Sequence, residues 1–390
     1  MHGSDDDSTR PPPSRRYGDA WRMRRDRSAD PQRQPGSIDL RRYDLTTPFS
    51  GIATFLQVPV CLTQEDLNAA GAEVAILGAP MDSGGGHRGA SWGPRAIRGA
   101  ERYLPAPAGL MNHLHVRVEP FEVLTVVDYG DAAVDPFSIE ASMPMIRELV
   151  REVADTGAVP VVLGGDHSIL WPDAAACADV YGAGKVGVVH FDAHADCSKS
   201  YMGHSVTHGT PIRRLIEDEH IAGRNFVQVG LRGYYPDNEL LDWMRQQGMR
   251  SHFMAEVELH GLERVMEQAI SEALDGPEFL FVSFDIDVLD PAYAPGTGTP
   301  EPGGFTTREV FPMIRRLCHE AHVVGFEVVE VAPGIDPGYT TALNANRVVI
   351  EALTGLAIRK LGLPGPRYLN PVTAGNEPFP QTGSTWPPVS

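Results

Sequence analysis

Three potential metal ligands follow a short apolar segment near the middle of the sequence. Residues 185–191 are rich in valine and have the length and β-branched content of a buried strand. Asp192, His194 and Asp196 come directly after this segment, at alternate positions. Alternate residues of an extended chain point to the same side, so the three side chains can face one point. Because buried carboxylates are costly unless a positive charge lies among them, the pattern favours a metal site over a solvated polar turn.

Two further groups of potential ligands follow other strand-like segments. His167 follows residues 159–163 in a glycine-rich turn, and the glycines allow the chain to bend sharply there. Asp285 and Asp287 follow residues 279–284, again at alternate positions. A single histidine in a turn is usually an ordinary polar residue, but here it joins other ligand types at the ends of strands. We therefore predict that the three groups meet.

The combined set favours two metal ions over one. It supplies two imidazoles and four carboxylates, from His167, Asp192, His194, Asp196, Asp285 and Asp287. One ion does not need six such side chains, whereas two ions that share carboxylates do. Two divalent ions can bind one water and lower its pKa toward neutrality, which supplies hydroxide at physiological pH. Oxygen-rich ligation favours Mn²⁺, with Ni²⁺, Co²⁺ or Fe²⁺ as alternatives, and the lack of thiolate ligands argues against structural zinc.

The composition is that of a globular protein with a large core. The chain has 390 residues, of which 42% are hydrophobic and 22% charged, and its net charge is −18. The negative charge disfavours nucleic-acid and anionic-membrane partners. The sequence shows no signal peptide and no apolar run that could span a bilayer, so we expect a cytoplasmic protein. The four cysteines are scattered, as in a reduced protein; Cys197, beside the ligands, is either a nucleophile or a packing residue.

Strand-like and helix-like segments alternate along the chain. The predicted strands are 73–77, 123–127, 159–163, 185–191, 226–229, 279–284 and 323–329, and the predicted helices are 142–155, 259–274, 307–318 and 342–361. This alternation predicts an α/β fold with a mostly parallel sheet covered by helices on both faces. Ligands of such sheets bind at the carboxyl ends of the strands, which is where the candidate ligands lie.

The two ends of the chain differ in composition from the rest. Residues 1–37 mix Asp, Arg, Pro and Ser and are predicted to be a flexible extension or a segment that wraps a neighbouring subunit. Residues 38–362 are predicted to form a single catalytic domain. Residues 363–390 are rich in proline and are predicted to be a tail.

Three motifs resemble those of the ureohydrolase family, which includes arginase and agmatinase. They are Gly-Gly-Asp-His-Ser at 164–168, Phe-Asp-Ala-His-Ala-Asp at 191–196 and Ser-Phe-Asp-Ile-Asp-Val-Leu-Asp-Pro-Ala at 283–292. The last motif continues through residues 294–304 as in agmatinase-like members, and the resemblance covers roughly residues 72–361. One such motif would be suggestive, and three in order are specific.

The resemblance implies a three-layer α/β/α sandwich, a binuclear site that is usually manganese, and a trimer or hexamer. One ion would be held by His167, Asp192, Asp196 and Asp285, and the other by Asp192, His194, Asp285 and Asp287. Metal-bound hydroxide would cleave a guanidino C–N bond to give urea and an amine or ammonia. Glu330 stands where the family places the carboxylate that binds the guanidinium, and His208 matches the proposed proton shuttle; with Asp196 they form the catalytic set.

These residue types suit the reaction without the resemblance. The guanidinium carbon is a poor electrophile, so the attacking hydroxide must be strong and held in place. A carboxylate such as Glu330 can pair with the planar cation through both oxygens. The leaving amine needs a proton, and a histidine such as His208 can supply it near neutral pH. The alternatives are a structural acid paired with an arginine at Glu330 and a structural turn histidine at His208.

The sequence leaves the choice of guanidino compound open. The loop 197–207 lacks the Asn, Thr and Ser pattern by which arginases bind the amino-acid end of arginine, so arginase activity is disfavoured. His87, Arg88, Trp92 and Tyr201 are predicted to line the entrance, or else to pack a glycine-rich loop. Agmatine would favour an acid at the entrance and guanidinobutyrate a cation, for which Arg88, His87 and Lys199 are candidates. Guanidine, a small substituted guanidine or a biguanide would need a short pocket.

Two functions of other kinds also fit parts of the pattern. An inactive member of the family could serve as the partner subunit of a mixed oligomer, but such a chain usually lacks a ligand, and all six are present here. A zinc deacylase on a related fold would use one ion and would leave several carboxylates uncompensated. Two metals per chain would support the hydrolase, one the deacylase and none the partner role.

Overall fold

The structure is a computed structural model that describes residues 33–42, 47, 50–100, 112–364, 368–373 and 375–378. Most of the predicted N-terminal extension and part of the predicted tail lie outside these residues. Within them, Arg33 donates hydrogen bonds of 2.5 and 2.6 Å to Asp66, and Leu369 pairs with Pro378. No helix in the described ranges is long and apolar enough to cross a membrane.

The centre of the molecule is an eight-stranded sheet in which every neighbouring pair of strands is parallel. The strands are β1 Val74–Ala79, β2 Val126–Asp131, β3 Val159–Gly164, β4 Val186–Phe191, β5 Phe226–Val229, β6 Arg250–His252, β7 Phe279–Asp285 and β8 Val323–Val329. Their order across the sheet is β2-β1-β3-β8-β7-β4-β5-β6. The four central strands β3, β8, β7 and β4 therefore bring their carboxyl ends together at one edge.

Helices cover both faces of the sheet and form two hydrophobic cores. They are α1 Gln64–Ala70, α2 Gly93–Gly99, α3 Pro120–Val123, α4 Ile139–Asp155, α5 Leu170–Tyr181, α6 Pro211–Glu217, α7 Asn238–Gln246, α8 Met254–His260, α9 Leu262–Ala273, α10 Thr307–Glu320 and α11 Thr340–Lys360. Strand residues alternate between the cores: Val189 packs with α9, α10 and α11 on one face, and Val188 with α4, α5 and α6 on the other. The predicted three-layer fold with a parallel sheet is confirmed.

Two of the predicted elements are wrong in detail, and one strand was not predicted. Residues 123–127 were predicted to be a strand, but Pro120–Val123 form a short helix that begins at a proline, and β2 starts only at Val126. The predicted helix 259–274 is two helices, because Gly261 adopts a φ of +80° between them. Strand β6 was missed because its residues, Arg-Ser-His, contain no apolar run.

A tight turn follows β3 at the edge of the sheet that carries the candidate site. A Cβ at Gly165 would lie only 2.3 Å from the carbonyl oxygen of Met81 and 2.5 Å from that of Ala79. Only glycine allows the turn to pack this closely against the end of β1. His167 follows at once and is fully buried, facing the ends of the neighbouring strands.

Candidate metal centre and catalytic pair

Four buried side chains meet at the ends of β3, β4 and β7. The Nδ1 atom of His167 lies 3.1 Å from an oxygen of Asp192, 3.0 Å from one of Asp196 and 3.1 Å from one of Asp285. A ring nitrogen carries at most one proton, so it cannot satisfy three carboxylates, and this atom makes no aligned hydrogen bond with any described residue. One nitrogen and three oxygens around a common point are a suitable donor set for a divalent cation.

A second group of potential ligands shares Asp192 with the first. The Nδ1 atom of His194 lies 3.0 Å from Asp287 and 3.4 Å from Asp192. The three ligand atoms of Asp192, His194 and Asp287 all lie within 4.8 Å of one another. The two oxygens of Asp192 therefore face different groups, as expected of a carboxylate that bridges two ions.

The structure brings all six predicted metal ligands together, although the alternation of residues 192–196 does not explain how. The strand ends at Phe191, and Asp196 adopts a φ of +46°, so the segment is not extended. The first group has the four members predicted for the first ion. The second group contains three of the four members predicted for the second ion. Asp285 is not among them, because its Oδ2 atom lies 3.1 Å from His167 Nδ1 and so faces the first group.

Burial and the charges of neighbouring residues shift the pKa values of the acidic side chains in these groups. Burial and the charges of Asp287 and Asp192 hold the pKa of Asp285 well above its usual range. Burial and the charge of Asp192 likewise raise the pKa of Asp287 to about 6. Burial opposes ionisation of Asp192 as well, but its close contacts with the imidazoles of His167, His190 and His194 outweigh burial and lower its pKa. Carboxylates crowded in this way bind either protons or cations, so the residues present fit two divalent ions.

Glu330 and His208 form a second pair beside the acidic groups. Glu330 follows β8 with a φ of +64°, and its Oε1 atom lies 3.1 Å from His208 Nδ1. The same oxygen accepts the backbone N–H of His167 at 2.9 Å. Both lone pairs of Oε1 are thus used, which leaves Oε2 as the oxygen available to a substrate. The predicted two-oxygen contact with a guanidinium is therefore not available in this arrangement.

The pair also sets the protonation state of His208. Burial opposes its protonation, but the hydrogen bond to Glu330 and the charges of Glu330, Asp196 and Asp166 outweigh burial and raise the pKa of His208 to about 9. Burial opposes ionisation of Glu330, but the hydrogen bond and charge of His208, together with the backbone N–H of His167, outweigh burial and lower the pKa of Glu330. The pair therefore consists of a carboxylate and an imidazolium at neutral pH.

Several polar residues that support the site were missed in the sequence. Asp166 accepts the backbone N–H of Gly85 at 2.7 Å and that of Ser168 at 3.1 Å. It thereby holds the glycine-rich loop against the site, where the carbonyl of Gly84 accepts the N–H of His208 at 3.2 Å. Burial and the charge of Glu330 raise the pKa of Asp166 to about 6. Its position within the motif 164–168 was the available signal.

A row of polar side chains lies beneath the metal ligands. Ser251, Gln228, His190, Ser283 and Glu327 are register partners across β6, β5, β4, β7 and β8, and we call them the polar row. Ser283 Oγ lies 2.8 Å from the Nε2 atom of His167, and Glu327 lies 3.7 Å from the same atom. Single polar residues within apolar strands were visible in the sequence, but their alignment depends on the order of the strands.

The four residues predicted to line the entrance are placed unequally. Arg88 donates a hydrogen bond of 2.8 Å to the carbonyl of Gly298. A Cβ at Gly298 would lie 2.9 Å from Arg88 Cδ and 3.6 Å from Glu330 Oε2, so Arg88 is close to Glu330. His87 is exposed on the same loop, and Trp92 and Tyr201 are more than half exposed. Among the described contacts, none joins Trp92 or Tyr201 to the acidic groups.

Cys197 has the surroundings of a packing residue. Its side chain is fully buried in the hydrophobic core, and burial and the charge of Asp196 hold the pKa of its thiol well above the usual range. A thiol of this kind is not a nucleophile, because the reactive form is the thiolate.

Comparison with known proteins gives one family. The arginase family profile matches residues 72–355. The chain is 38% identical to a mitochondrial agmatinase of Gallus gallus over 309 residues, which cover 78% of this chain and 85% of that protein. It is 38% identical to a guanidinopropionase of Pseudomonas aeruginosa over 315 residues, covering 79% and 93% of the two chains.

A solved structure extends the comparison to the fold. The crystal structure of a hypothetical agmatinase from Burkholderia thailandensis aligns with a TM-score of 0.71 and 31% identity, over 85% of this chain and 99% of that one. Together, these similarities confirm the predicted family, its agmatinase-like branch and the reaction class, hydrolysis of a guanidino C–N bond. The chain belongs to the arginase family.

Proposed function

We propose that this protein is a binuclear metal hydrolase that converts a guanidino compound to urea and an amine or ammonia. The observation that carries the proposal is the pair of ligand groups joined by Asp192, next to Glu330 and His208. His167, Asp192, Asp196 and Asp285 would hold one ion. Asp192, His194 and Asp287 would hold the other, with Asp285 as a second bridge. The oxygen-rich donor set favours Mn²⁺, and Ni²⁺ is the alternative.

The residues around the ions divide the remaining work. When bound, the two ions would supply a nucleophile at neutral pH by lowering the pKa of a shared water. Glu330 Oε2 would accept an N–H of the guanidinium and fix its carbon over the ligand groups, while Oε1 stays bonded to His167 and His208. The protonated His208 would donate its proton to the leaving amine, which cannot depart as an anion.

The proposal leaves open which group the substrate carries beyond its guanidinium, here called the substrate tail. We propose an agmatine-like compound or a small guanidine, with guanidinobutyrate and substituted guanidines or biguanides as alternatives. Two of the relatives with 38% identity, an agmatinase and a guanidinopropionase, carry names that refer to different guanidino compounds, so they do not decide which group the substrate carries beyond the guanidinium. Arg88, beside Gly298, would favour an anionic tail, and Tyr201 and Trp92 would have to move to close a short pocket.

Other features of the chain remain proposals of the same kind. We propose that the enzyme is a cytoplasmic homo-oligomer, a trimer or hexamer. Residues 38–362 would be its catalytic domain, between a flexible extension at 1–37 and a tail at 363–390. A role as an inactive partner subunit would require the loss of a ligand or of the catalytic pair, and all of these residues are in place.

The experiment that tests the proposal is urea release by purified protein loaded separately with Mn²⁺ and Ni²⁺. The panel would be agmatine, 4-guanidinobutyrate, 3-guanidinopropionate, arginine, guanidine, and methylated guanidines or biguanides, with the metal content of the same samples measured in parallel. We expect two metals per chain and rapid release of urea from one compound. Two metals without urea from any compound would contradict the proposed activity, and one metal per chain would contradict the binuclear site.

The Asp192→Asn substitution tests the shared ligand. We expect the variant to bind less metal and to lose turnover, because each oxygen of Asp192 faces a different group and one of them is replaced by an amide nitrogen with no lone pair for an ion. The control is Asp290→Asn. Asp290 is an acid of the loop after β7, and its carboxylate accepts the backbone N–H groups of Ala292 and Gly303 instead of facing the ligands. Full activity of Asp192→Asn with two bound metals would exclude the assignment of Asp192.

A further inference from the structure

His190 is a buried histidine that the proposed mechanism does not use. It lies in β4, two residues before Asp192, and its ring stacks between those of His167 and Phe226, with centroid distances of 4.9 and 5.8 Å. The side chain is fully buried. Its register partner on β5 is Gln228, which is buried too. Two buried polar side chains at the centre of an apolar sheet need a role that offsets the cost of burying them.

Hydrogen bonds determine which way the amide of Gln228 faces. Its Nε2 atom lies 2.9 Å from the carbonyl oxygen of Ala195, which can only accept, so the group on that side must be the NH₂ group. Its Oε1 atom accepts a hydrogen bond of 3.0 Å from Ser251 on β6. The opposite orientation would place two oxygens against each other. The position of the amide is therefore unambiguous.

This orientation in turn fixes the tautomer of His190. The second N–H of the Gln228 amide faces the Nδ1 atom of His190 at 3.3 Å. Nδ1 must accept this hydrogen, because a proton on both atoms would clash. The proton of the neutral ring then lies on Nε2, which is 3.0 Å from the Oδ2 atom of Asp192. The two atoms are within hydrogen-bonding distance but are not aligned, and within the described residues neither of them makes an aligned hydrogen bond to any group.

A backbone N–H group donates a hydrogen bond to the other oxygen of Asp192. Its Oδ1 atom accepts the backbone N–H of His194 at 2.5 Å. Each oxygen of the shared carboxylate therefore faces one donor of the protein and keeps one lone pair directed at the ligand groups. A neutral ring achieves this without placing a further positive charge beside the cations.

We propose that His190, held as the Nε2–H tautomer by Gln228, is the positioning residue that orients Asp192 to bridge the two ions. The inference rests on the proposed binuclear site. It assigns a function to three residues of the polar row. Ser251 on the edge strand β6 orients Gln228, Gln228 orients His190, and His190 orients Asp192. His190 does not touch substrate in this role and acts only through Asp192.

Three variants separate positioning from packing. In His190→Gln the side-chain amide can place an N–H near the position of Nε2, so the donor to Asp192 is retained. His190→Phe keeps a ring in the same space but has no donor. Gln228→Met keeps the ring of His190 and removes the amide that fixes its tautomer. The matched control is His252→Phe, which removes another buried histidine, one that contacts Glu256 and Glu272 instead of the ligand groups.

The measurement is Mn²⁺ affinity by competition with a chelator, together with the melting temperature of the metal-free proteins. We expect His190→Phe to bind both ions about 10- to 100-fold more weakly, as is usual when a group behind a ligand is lost. Gln228→Met should show a smaller loss, and His190→Gln and His252→Phe should keep affinities near that of the natural protein. The metal-free melting temperatures of His190→Phe and His190→Gln should be alike.

The possible outcomes distinguish this inference from the proposed function. Unchanged affinity in His190→Phe would overturn the inference, and so would equal losses in the Phe and Gln variants at residue 190. If His190→Phe does not fold, an unchanged affinity of Gln228→Met overturns it. Failure of the natural protein to bind two ions would instead contradict the proposed function, and it would do so before any variant is compared.

Discussion

Glu330 offers the sharpest test of the catalytic arrangement, because its two oxygens have different partners. Oε1 accepts from the backbone of His167 at 2.9 Å and lies 3.1 Å from His208, whereas Oε2 is left for the substrate. In Glu330→Gln the amide oxygen must take the position of Oε1, since the N–H of His167 requires an acceptor there. The NH₂ group then replaces Oε2 and faces the N–H groups of the guanidinium. The change thus removes one acceptor without disturbing the ligand groups.

The size of the effect follows from the bond that is lost. A hydrogen bond to a charged group contributes about 1.5–3 kcal/mol. At about 1.4 kcal/mol for each factor of ten, kcat/KM should fall by about 10- to 150-fold, and the donor–donor contact adds to this loss. The loss of the Glu330 charge should also lower the pKa of His208 from about 9 toward its ordinary value of 6.5. A general acid is active while protonated, so the decline of kcat at high pH should begin at lower pH in the variant.

The assay is urea release as a function of substrate concentration and pH, with metal content measured on the same samples. Glu301→Gln is a suitable control, because it removes a carboxylate of a nearby loop that contacts Gly233 instead of the catalytic pair. We expect two bound metals in both variants and a large kinetic change in Glu330→Gln alone. Kinetics near those of the natural protein would refute the assignment of Glu330 as the guanidinium acceptor. Loss of metal would show instead that Glu330 supports the ligand groups.

Two predictions concern other parts of the molecule. Buried Glu351 contacts His113, Arg315 and Arg347, and although burial opposes ionisation, these three partners lower its pKa from 4.5 to about 2. Because the pKa of Glu351 is depressed in the folded protein, these contacts stabilise the protein above pH 4.5 and lose their effect as the pH falls toward 2. Glu351→Gln should therefore cost about 3–5 kcal/mol of unfolding free energy at pH 7, measured by urea unfolding, and much less at pH 3. An equal cost at both pH values would contradict this. Gly298→Ala would place a Cβ 2.9 Å from Arg88 and 3.6 Å from Glu330 Oε2. We expect KM to rise while metal content and melting temperature stay unchanged. An unchanged KM would show that the substrate does not pass this glycine.

The sequence predicts the central strands well because their apolar runs are long and end in polar turns. The predicted strands 159–163, 185–191 and 279–284 match β3, β4 and β7 to within one residue, and 323–329 coincides with β8. The candidate ligands follow such runs, and the rule that parallel strands present ligands at their carboxyl ends brings them to one edge. Pattern and topology therefore sufficed for the ligand groups.

The residues behind the ligands could not be predicted in the same way. His190 and Gln228 are 38 positions apart, and they meet because β4 and β5 are neighbours in register. Apolar periodicity identifies strands but not their order or register. The single acceptor oxygen of Glu330 also depends on a contact with His167, 163 positions away. Such details require the strand order, which no local pattern supplies.

The position of β8 has a consequence for how the protein folds. This strand, Val323–Val329, lies between β3 and β7 at the centre of the sheet, although it is the last strand of the described chain. Until it inserts, β3, which precedes His167, does not touch β7, which carries Asp285, and the contact between the two side chains cannot form. Contacts between such distant residues make the rate-limiting step of folding slow. We therefore expect that an ion in the group containing His167 cannot guide the early steps of refolding, and that tight binding at this group appears only with the final, cooperative closure of the sheet.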